Sequence, residues 1–163
     1  MRRLLALPLI VLALMFPTVA VAQTEIAWQA HFRESFGQGS APSGVGRVMG
    51  FGQVTETFEP TGASETGDPQ CTSVSTGLQT NTFADGSTLT TSDVYFNCVP
   101  GRSNLAPGAD VSYGNPSLAT GTWTVDSGTG IFDGATGGGT LTTLAAGDVL
   151  QIYYEGTIIL ADQ

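Results

Sequence analysis

Short runs of β-type residues, each bounded by Gly, Pro, Asn or Asp, recur along the chain from residue 25 onward. No stretch in this part keeps an apolar period of 3.6 residues, because Gly and Thr interrupt every candidate helix. The pattern therefore predicts an all-β domain. The predicted strands are Glu25–Phe36, Val45–Glu59, Cys71–Phe83, Thr88–Cys98, Leu118–Asp126, Gly138–Leu144 and Val149–Leu160. A short piece at Ile131-Phe132 is a candidate eighth strand.

The expected architecture is a single closed antiparallel barrel of about eight strands, because closure removes the exposed edges of a sheet. An open β-sandwich is the alternative that the same pattern allows. Two segments that are rich in turn-forming residues, Pro60–Pro69 and Pro100–Pro116, are predicted to be long loops. In the last strand Leu150, Ile152, Tyr154 and Ile158 share one face, which indicates a sheet with one buried side.

The N-terminal residues have the pattern of an export signal. Two arginines precede an uncharged apolar run, Leu4–Phe16, and Ala20-Val21-Ala22 supplies the small-x-small pattern that a signal peptidase recognises. We predict a signal peptide at residues 1–22, cleaved after Ala22, and a domain at residues 23–163. A membrane anchor is the alternative, but the run is short for a bilayer core of ~30 Å. The mature protein is expected to be secreted or periplasmic, with no membrane span.

The predicted mature chain is strongly acidic. It has no Lys, and its basic residues are Arg33, Arg47 and Arg102, whereas all 14 acidic residues of the sequence lie within it. Such a surface repels phosphate backbones, so nucleic acid is not expected as a partner. The simplest interpretation of the acidity is solubility.

The two cysteines are predicted to form a disulfide, because an even pair in an oxidising compartment is most simply bonded. Cys71 and Cys98 lie in two predicted strands that are joined by Phe83-Ala84-Asp85-Gly86. A four-residue loop there makes Thr82 face Ser87 and places the cysteines opposite each other. A two-residue turn would leave them diagonal and require a bulge. A redox or metal role is the alternative, without a CxxC motif or a neighbouring His to support it.

Glycines are densest between Gly121 and Gly137. This segment is not a nucleotide-binding loop, because Asp133 occupies the position of the third glycine of a dinucleotide fingerprint and the Lys of a Walker A loop is absent. We predict instead a pair of tight turns around Ile131-Phe132, with that apolar pair held by burial. The predicted structural turn glycines are Gly128, Gly130, Gly134 and Gly137.

The stretch Val125–Leu141, followed by the strand Leu150–Thr157, resembles the closing strands of the allene oxide cyclase-like barrel superfamily, which also includes the plant dirigent proteins. The shared features are a small-residue turn, Gly-Ile-Phe, Gly-Ala and a further Gly before the closing strand. The resemblance implies an eight-stranded antiparallel barrel whose apolar interior takes a hydrophobic small molecule. The resemblance assigns no catalytic role to a residue of this chain, because neither Glu25 nor Glu34 lies in the first-strand acid motif of the cyclases. Thr136 replaces the aromatic residue that follows Gly-Ala in them.

Candidate catalytic and metal-binding residues are few. His31 is the only histidine, and it lies on the polar side of the first predicted strand, which indicates an exposed structural residue. One His and two Cys do not make a zinc site, and no Gly-x-Ser-x-Gly motif occurs. Asp126 and Asp133 flank the glycine turn and are interpreted as turn residues, since the spacing of an EF-hand calcium loop is absent. We therefore expect no metal and no cofactor.

Three aromatic residues, Trp123, Phe132 and Tyr154, are candidates to line a ligand pocket, with a core role as the alternative. Glu155 is the one charged residue of the closing strand, and its alternation with Tyr154 places it on the solvent side. We predict a secreted, non-catalytic barrel that binds a small apolar ligand or a surface partner; an isomerase or cyclase of the allene oxide cyclase type is the alternative. Turnover is not expected, because the sequence reveals no buried acid or base. Oligomeric state is left open.

Overall fold

The computed structural model describes residues 23–35, 43–68, 71–98, 117–146 and 149–161, and residues 1–22, with the predicted signal peptide, lie outside them. Each strand pairs antiparallel with the next, and the last pairs with the first, so the sheet closes into a barrel. The predicted all-β fold and the closed barrel of eight strands are confirmed. The strands are β1 (Thr24–Ser35), β2 (Ser43–Val48), β3 (Gly52–Glu65), β4 (Cys71–Phe83), β5 (Thr88–Cys98), β6 (Ser117–Thr129), β7 (Thr136–Ala146) and β8 (Val149–Leu160).

The predicted strand Val45–Glu59 is wrong as a single element, because it divides into β2 and β3. Gly50 and Gly52 have φ angles of +84° and +89° at the turn between them, a conformation that other residues rarely adopt. This division supplies the eighth strand. The candidate strand at Ile131-Phe132 is wrong, since Gly130–Phe132 form a single turn of 3₁₀ helix.

The predicted loop Pro60–Pro69 is also wrong in its first part, because β3 continues to Glu65. The strand tolerates the proline through a shift in register between Pro60 and Gly62, where the ladder is locally interrupted. The other predicted loop, Pro100–Pro116, lies outside the described residues.

The hairpin of β4 and β5 places Cys71 opposite Cys98, as expected, but through a different turn. Thr82 faces Thr88 rather than Ser87, and the amide of Phe83 donates to the carbonyl of Ser87 at 2.9 Å. The loop is therefore one residue shorter than predicted. A register shift next to Cys71 restores the pairing of the two cysteine positions.

One end of the barrel interior, the aromatic half, is filled by the rings of Trp28, Phe51, Phe83, Trp123 and Phe132. Phe83 and Phe132 lie 4.7 Å apart between ring centroids, and Trp28 contacts each of the other four at 5.8–6.3 Å. The cluster adjoins the turns that connect β2 to β3, β4 to β5 and β6 to β7. Burying a large apolar side chain stabilises a fold by about 1.5–3 kcal/mol, so the aromatic half is the main hydrophobic core.

Candidate functional site

Three carboxyl groups lie inside the other half of the barrel. Glu34 on β1, Glu56 on β3 and Asp93 on β5 are each at most 2% exposed. Each follows the inward alternation of its strand, so the side chain enters the interior although it is charged in water. The expectation that the barrel has no buried acid is therefore wrong. We call these three residues, with Gln79, Thr91, Tyr95 and Tyr154, the carboxyl half.

Gly44 leaves the space in which the carboxyl groups of Glu34 and Glu56 come into contact. It lies on β2 between them and pairs in register with Glu34 on one side and Glu56 on the other. A Cβ atom at residue 44 would lie 2.6 Å from Oε1 of Glu56 and 2.3 Å from the carbonyl oxygen of Arg33. The missing side chain therefore leaves the inner surface of β2 free for the two carboxyl groups.

The Glu34–Glu56 pair is incompletely hydrogen-bonded. Apart from the hydrogen bond that a shared proton makes between the two carboxyl groups, Oε1 of Glu34 and both carboxyl oxygens of Glu56 have no hydrogen-bond partner among the described residues. Burial raises the pKa of Glu34 to about 7, and the hydrogen bond with the Glu56 carboxyl partly offsets this effect. Burial, the negative charge of Glu34, the hydrogen bond with Glu34 and the negative charge of Asp93 raise the pKa of Glu56 to about 9. At neutral pH the pair therefore keeps at least one proton, and it can both donate and accept.

Asp93 differs from the glutamates because its oxygens are well bonded. Thr91 donates to Oδ1 at 2.7 Å, and the hydroxyl groups of Tyr95, at 2.9 Å, and Tyr154 donate to Oδ2. Burial raises the pKa of Asp93, and these three hydrogen bonds partly counteract the effect. The Tyr154 hydroxyl also contacts the side chain of Gln79. Asp93 therefore acts as the centre of a structural network.

Aromatic rings enclose this polar cluster. Phe32 packs edge-on against Tyr154 at 5.5 Å, and Phe58 packs edge-on against Tyr95 at 5.7 Å. Burial raises the pKa of both tyrosines, so their hydroxyl groups stay protonated and remain donors. The carboxyl half thus combines acidic groups with apolar surface.

Of the predicted pocket residues, only Tyr154 belongs to the carboxyl half. Trp123 and Phe132 are buried in the aromatic half, and the Trp123 indole donates to the carbonyl oxygens of Thr140 and Glu155 at 3.1 and 3.2 Å. Because both side chains are packed in the core, they belong to the hydrophobic core and do not line a pocket. The other side chains considered from the sequence are exposed on the barrel surface: Glu25, His31 and Glu155.

The glycines of the predicted turns lie beside Phe132, away from the carboxyl half. Gly130 and Gly134 have φ angles of +61° and +68°, and Gly137 has +140°. Gly128 has no positive φ, but a Cβ there would lie 2.2 Å from the carbonyl oxygen of Phe132. Gly130 and Gly134 lie in the turn that inserts Phe132 into the core, whereas the prediction of a turn is wrong for Gly128, a residue of β6, and for Gly137, a residue of β7.

Glu56 and Asp93 were not found from the sequence. The signal that could have found them is the period of two, because Val54, Glu56 and Phe58 share one face of β3, as Thr91, Asp93 and Tyr95 do on β5. Within the described ranges, no three or more His, Cys, Asp or Glu residues are arranged to hold a metal ion.

Comparison of the chain with protein-family models, with curated proteins and with solved structures finds no match. In the part of the chain that the structure describes, no helix has the length and apolar character needed to cross a membrane. The geometry of the interior is therefore the basis for assigning a function.

Proposed function

We propose that the chain is a ligand-binding β-barrel whose carboxyl half holds a small molecule with an apolar body and a hydrogen-bond-donating head group. The observation that carries this proposal is the set of three buried oxygens on Glu34 and Glu56 that have no hydrogen-bond partner outside the pair among the described residues. A buried polar atom without a partner costs about 1–3 kcal/mol, so a donor that reaches these oxygens is stabilising. The rings of Phe32 and Phe58 offer apolar surface beside them.

The head group is a hydroxyl or an amine, because both donate to a carboxyl oxygen. An ammonium group would in addition favour the ionised form of the pair, since an opposite charge lowers the pKa of a carboxyl. An amine is therefore expected to release protons from the protein when it binds near pH 7. A carboxylate head group is expected to be rejected, because it adds a third negative charge beside Asp93.

Calorimetric titration with octylamine, octanol and octanoate tests the proposal. We expect saturable binding of the amine or the alcohol and none of octanoate. Glu56→Gln and Glu34→Gln should each weaken binding about tenfold, as loss of a charge-assisted hydrogen bond does. The exposed Glu155→Gln is the matched control and should bind as the parent does. Equal binding of all three probes, or equal loss in the control, would contradict the assignment to the carboxyl half.

Acid–base catalysis is the second candidate, and the contact between two buried carboxyl groups with raised pKa values favours it. Two adjacent carboxyl groups that share a proton can serve as base and acid in one site. An isomerase or cyclase of the allene oxide cyclase type would use such a pair. The test is incubation with an allene oxide generated in place, followed by chiral analysis of the cyclopentenone. An enantiomeric excess lost in Glu34→Gln and Glu56→Gln would favour catalysis, and a racemic product would leave binding as the function.

We further propose that the protein is exported, that it is related to the allene oxide cyclase-like superfamily, and that Cys71 and Cys98 are bonded in the exported form. The antiparallel register that sets the two cysteine positions opposite each other supports the bond. Mass spectrometry of the secreted protein should find Gln23 at its N terminus. Thiol labelling of the unfolded, non-reduced protein should find no free thiol, whereas two labelled cysteines would overturn the disulfide.

A further inference from the structure

The outer surface of β1, β2 and β3 carries a shallow groove that we call the basic groove. Its larger lobe has a volume of about 540 Å³ and its smaller lobe about 480 Å³, and both contain Arg33 and Val45. Among the described residues, none that lines either lobe is acidic. The lining residues of the smaller lobe are His31, Arg33, Val45, Gly46, Arg47 and Gln53.

The basic groove concentrates positive charge on an acidic chain. Two of the three arginines that follow residue 22 line it, although 14 acidic residues are distributed over the same sequence. Neither arginine has a carboxylate as its register partner on the neighbouring strands. The partners of Arg33 are Val45 and Gln151, and those of Arg47 are His31 and Gln53. Like charges on adjacent strands destabilise a sheet slightly, and a bound anion would reverse that effect.

One lining residue of the groove, His31, is held in place by ring stacking on Tyr153 of the neighbouring strand β8. The two rings are nearly parallel, with centroids 4.4 Å apart and an interplanar angle of 8°. The Tyr153 hydroxyl donates to Oε1 of Gln151 at 2.9 Å. Gln53, opposite Arg47 in the register, supplies a side-chain amide to the groove. The groove therefore presents guanidinium and amide donors beside an ordered His31 ring.

We propose that the basic groove binds a small organic oxyanion, either a carboxylate or a phosphate monoester, at a site separate from the barrel interior. Guanidinium groups match the two oxygens of a carboxylate or phosphate with paired hydrogen bonds. The ligand is small, because the negative charge of the rest of the chain repels a long polyanion. Arg33 and Arg47 are the anion-binding residues, and His31, stacked on Tyr153, lines the groove beside them.

An NMR titration of the ¹⁵N-labelled protein at low ionic strength tests the site. The probes are glucuronate for the carboxylate, glucose 6-phosphate for the phosphate monoester, and glucose as the uncharged control. We expect saturable shifts of the Val45, Gly46 and Arg47 amide signals with at least one of the acids and none with glucose. The acid that binds identifies which oxyanion the groove prefers.

Arg33→Gln and Arg47→Gln are each expected to weaken binding about tenfold. Arg102→Gln removes the same charge at another position of the sequence, so it controls for net charge, and it is expected to leave the Kd unchanged. Unshifted signals from the aromatic half show that each variant is folded. The site is overturned if neither acid saturates in the millimolar range, if glucose shifts the same amides, or if Arg102→Gln weakens binding as much as Arg33→Gln does.

Discussion

The aromatic half and the carboxyl half are built by the same strands, through the same alternation of side chains. They differ in how completely their buried polar atoms are hydrogen-bonded. In the aromatic half five rings pack on one another, and Nε1 of Trp123 donates to two carbonyl oxygens. In the carboxyl half three buried oxygens of Glu34 and Glu56 have no hydrogen-bond partner outside the pair among the described residues. Burial of rings stabilises the fold, whereas burial of unpaired carboxyl groups destabilises it. The difference indicates that the buried carboxyl groups serve a function and do not contribute to the stability of the fold.

The largest effect is expected from the aromatic half. Trp28→Ala removes the ring that contacts four others, so we expect the free energy of unfolding to fall by about 3–5 kcal/mol, the usual cost of deleting a buried aromatic side chain. Urea unfolding measures this change. Tyr153→Ala, on the outer surface, is the control and should cost less than about 1 kcal/mol. Similar losses in both variants would contradict the assignment of the main core to the aromatic half.

The next largest effect is expected from the carboxyl half, where replacing a buried carboxyl group should stabilise the protein. Its basis is the dependence of the free energy of unfolding on pH. The folded protein holds protons that the unfolded chain releases above about pH 4.5, because the pKa values of Glu34 and Glu56 are raised to about 7 and about 9. The contribution of the pair to the free energy of unfolding should therefore be most favourable below pH 4.5, and it should fall as pH rises toward 9. The expected slope is about 1.4 kcal/mol per pH unit for each retained proton.

Glu56→Gln removes the group that must stay protonated, so it should flatten this slope and raise the free energy of unfolding at pH 8 above that of the parent. Urea unfolding at several pH values measures both quantities. Glu155→Gln, an exposed acid, should keep the slope of the parent. A parent protein whose stability rises between pH 5 and pH 8 would show that the pair is ionised in the fold.

A smaller effect is expected at the turn that inserts Phe132 into the aromatic half. Gly130→Val and Gly134→Val should each cost more than about 1 kcal/mol, because both positions have a positive φ. Gly130→Val should cost more, since a Cβ there would lie 2.4 Å from Oγ of Ser87, whereas at Gly134 the nearest atom is 3.2 Å away. Thermal unfolding measures both. An unchanged melting temperature in both variants would contradict the role of this turn in holding Phe132.

The sequence predicted the barrel well where local pattern decides the structure. The boundaries of β4, β5 and β8 match the predicted strands because turn residues or a change in alternation mark both ends. The turn between β2 and β3 was missed because Met49-Gly50-Phe51-Gly52 alternates apolar side chains with glycine, as a strand can. Its identity as a turn depends on positive φ angles, which the pattern does not reveal.

The carboxyl half was harder to predict for a different reason. Glu34 continues the inward series of Trp28, Ala30 and Phe32, but a charged residue near a strand end is usually solvated, and it was not assigned to the interior. Its meeting with Glu56 requires Gly44 on the strand between them and the register of three strands. Such a contact arises from tertiary structure and has no local sequence signal.

The most direct test of the buried carboxyl pair is a ¹³C NMR titration of the glutamate carboxyl groups, with Glu34→Gln and Glu56→Gln used to assign the signals. The predicted result is a pair that titrates in two steps, the first near pH 7 and the second near pH 9, while Glu155 titrates separately. If both Glu34 and Glu56 titrate near 4.5, as a solvated glutamate does, the buried protonated pair is contradicted, and with it the proposed ligand-binding interior.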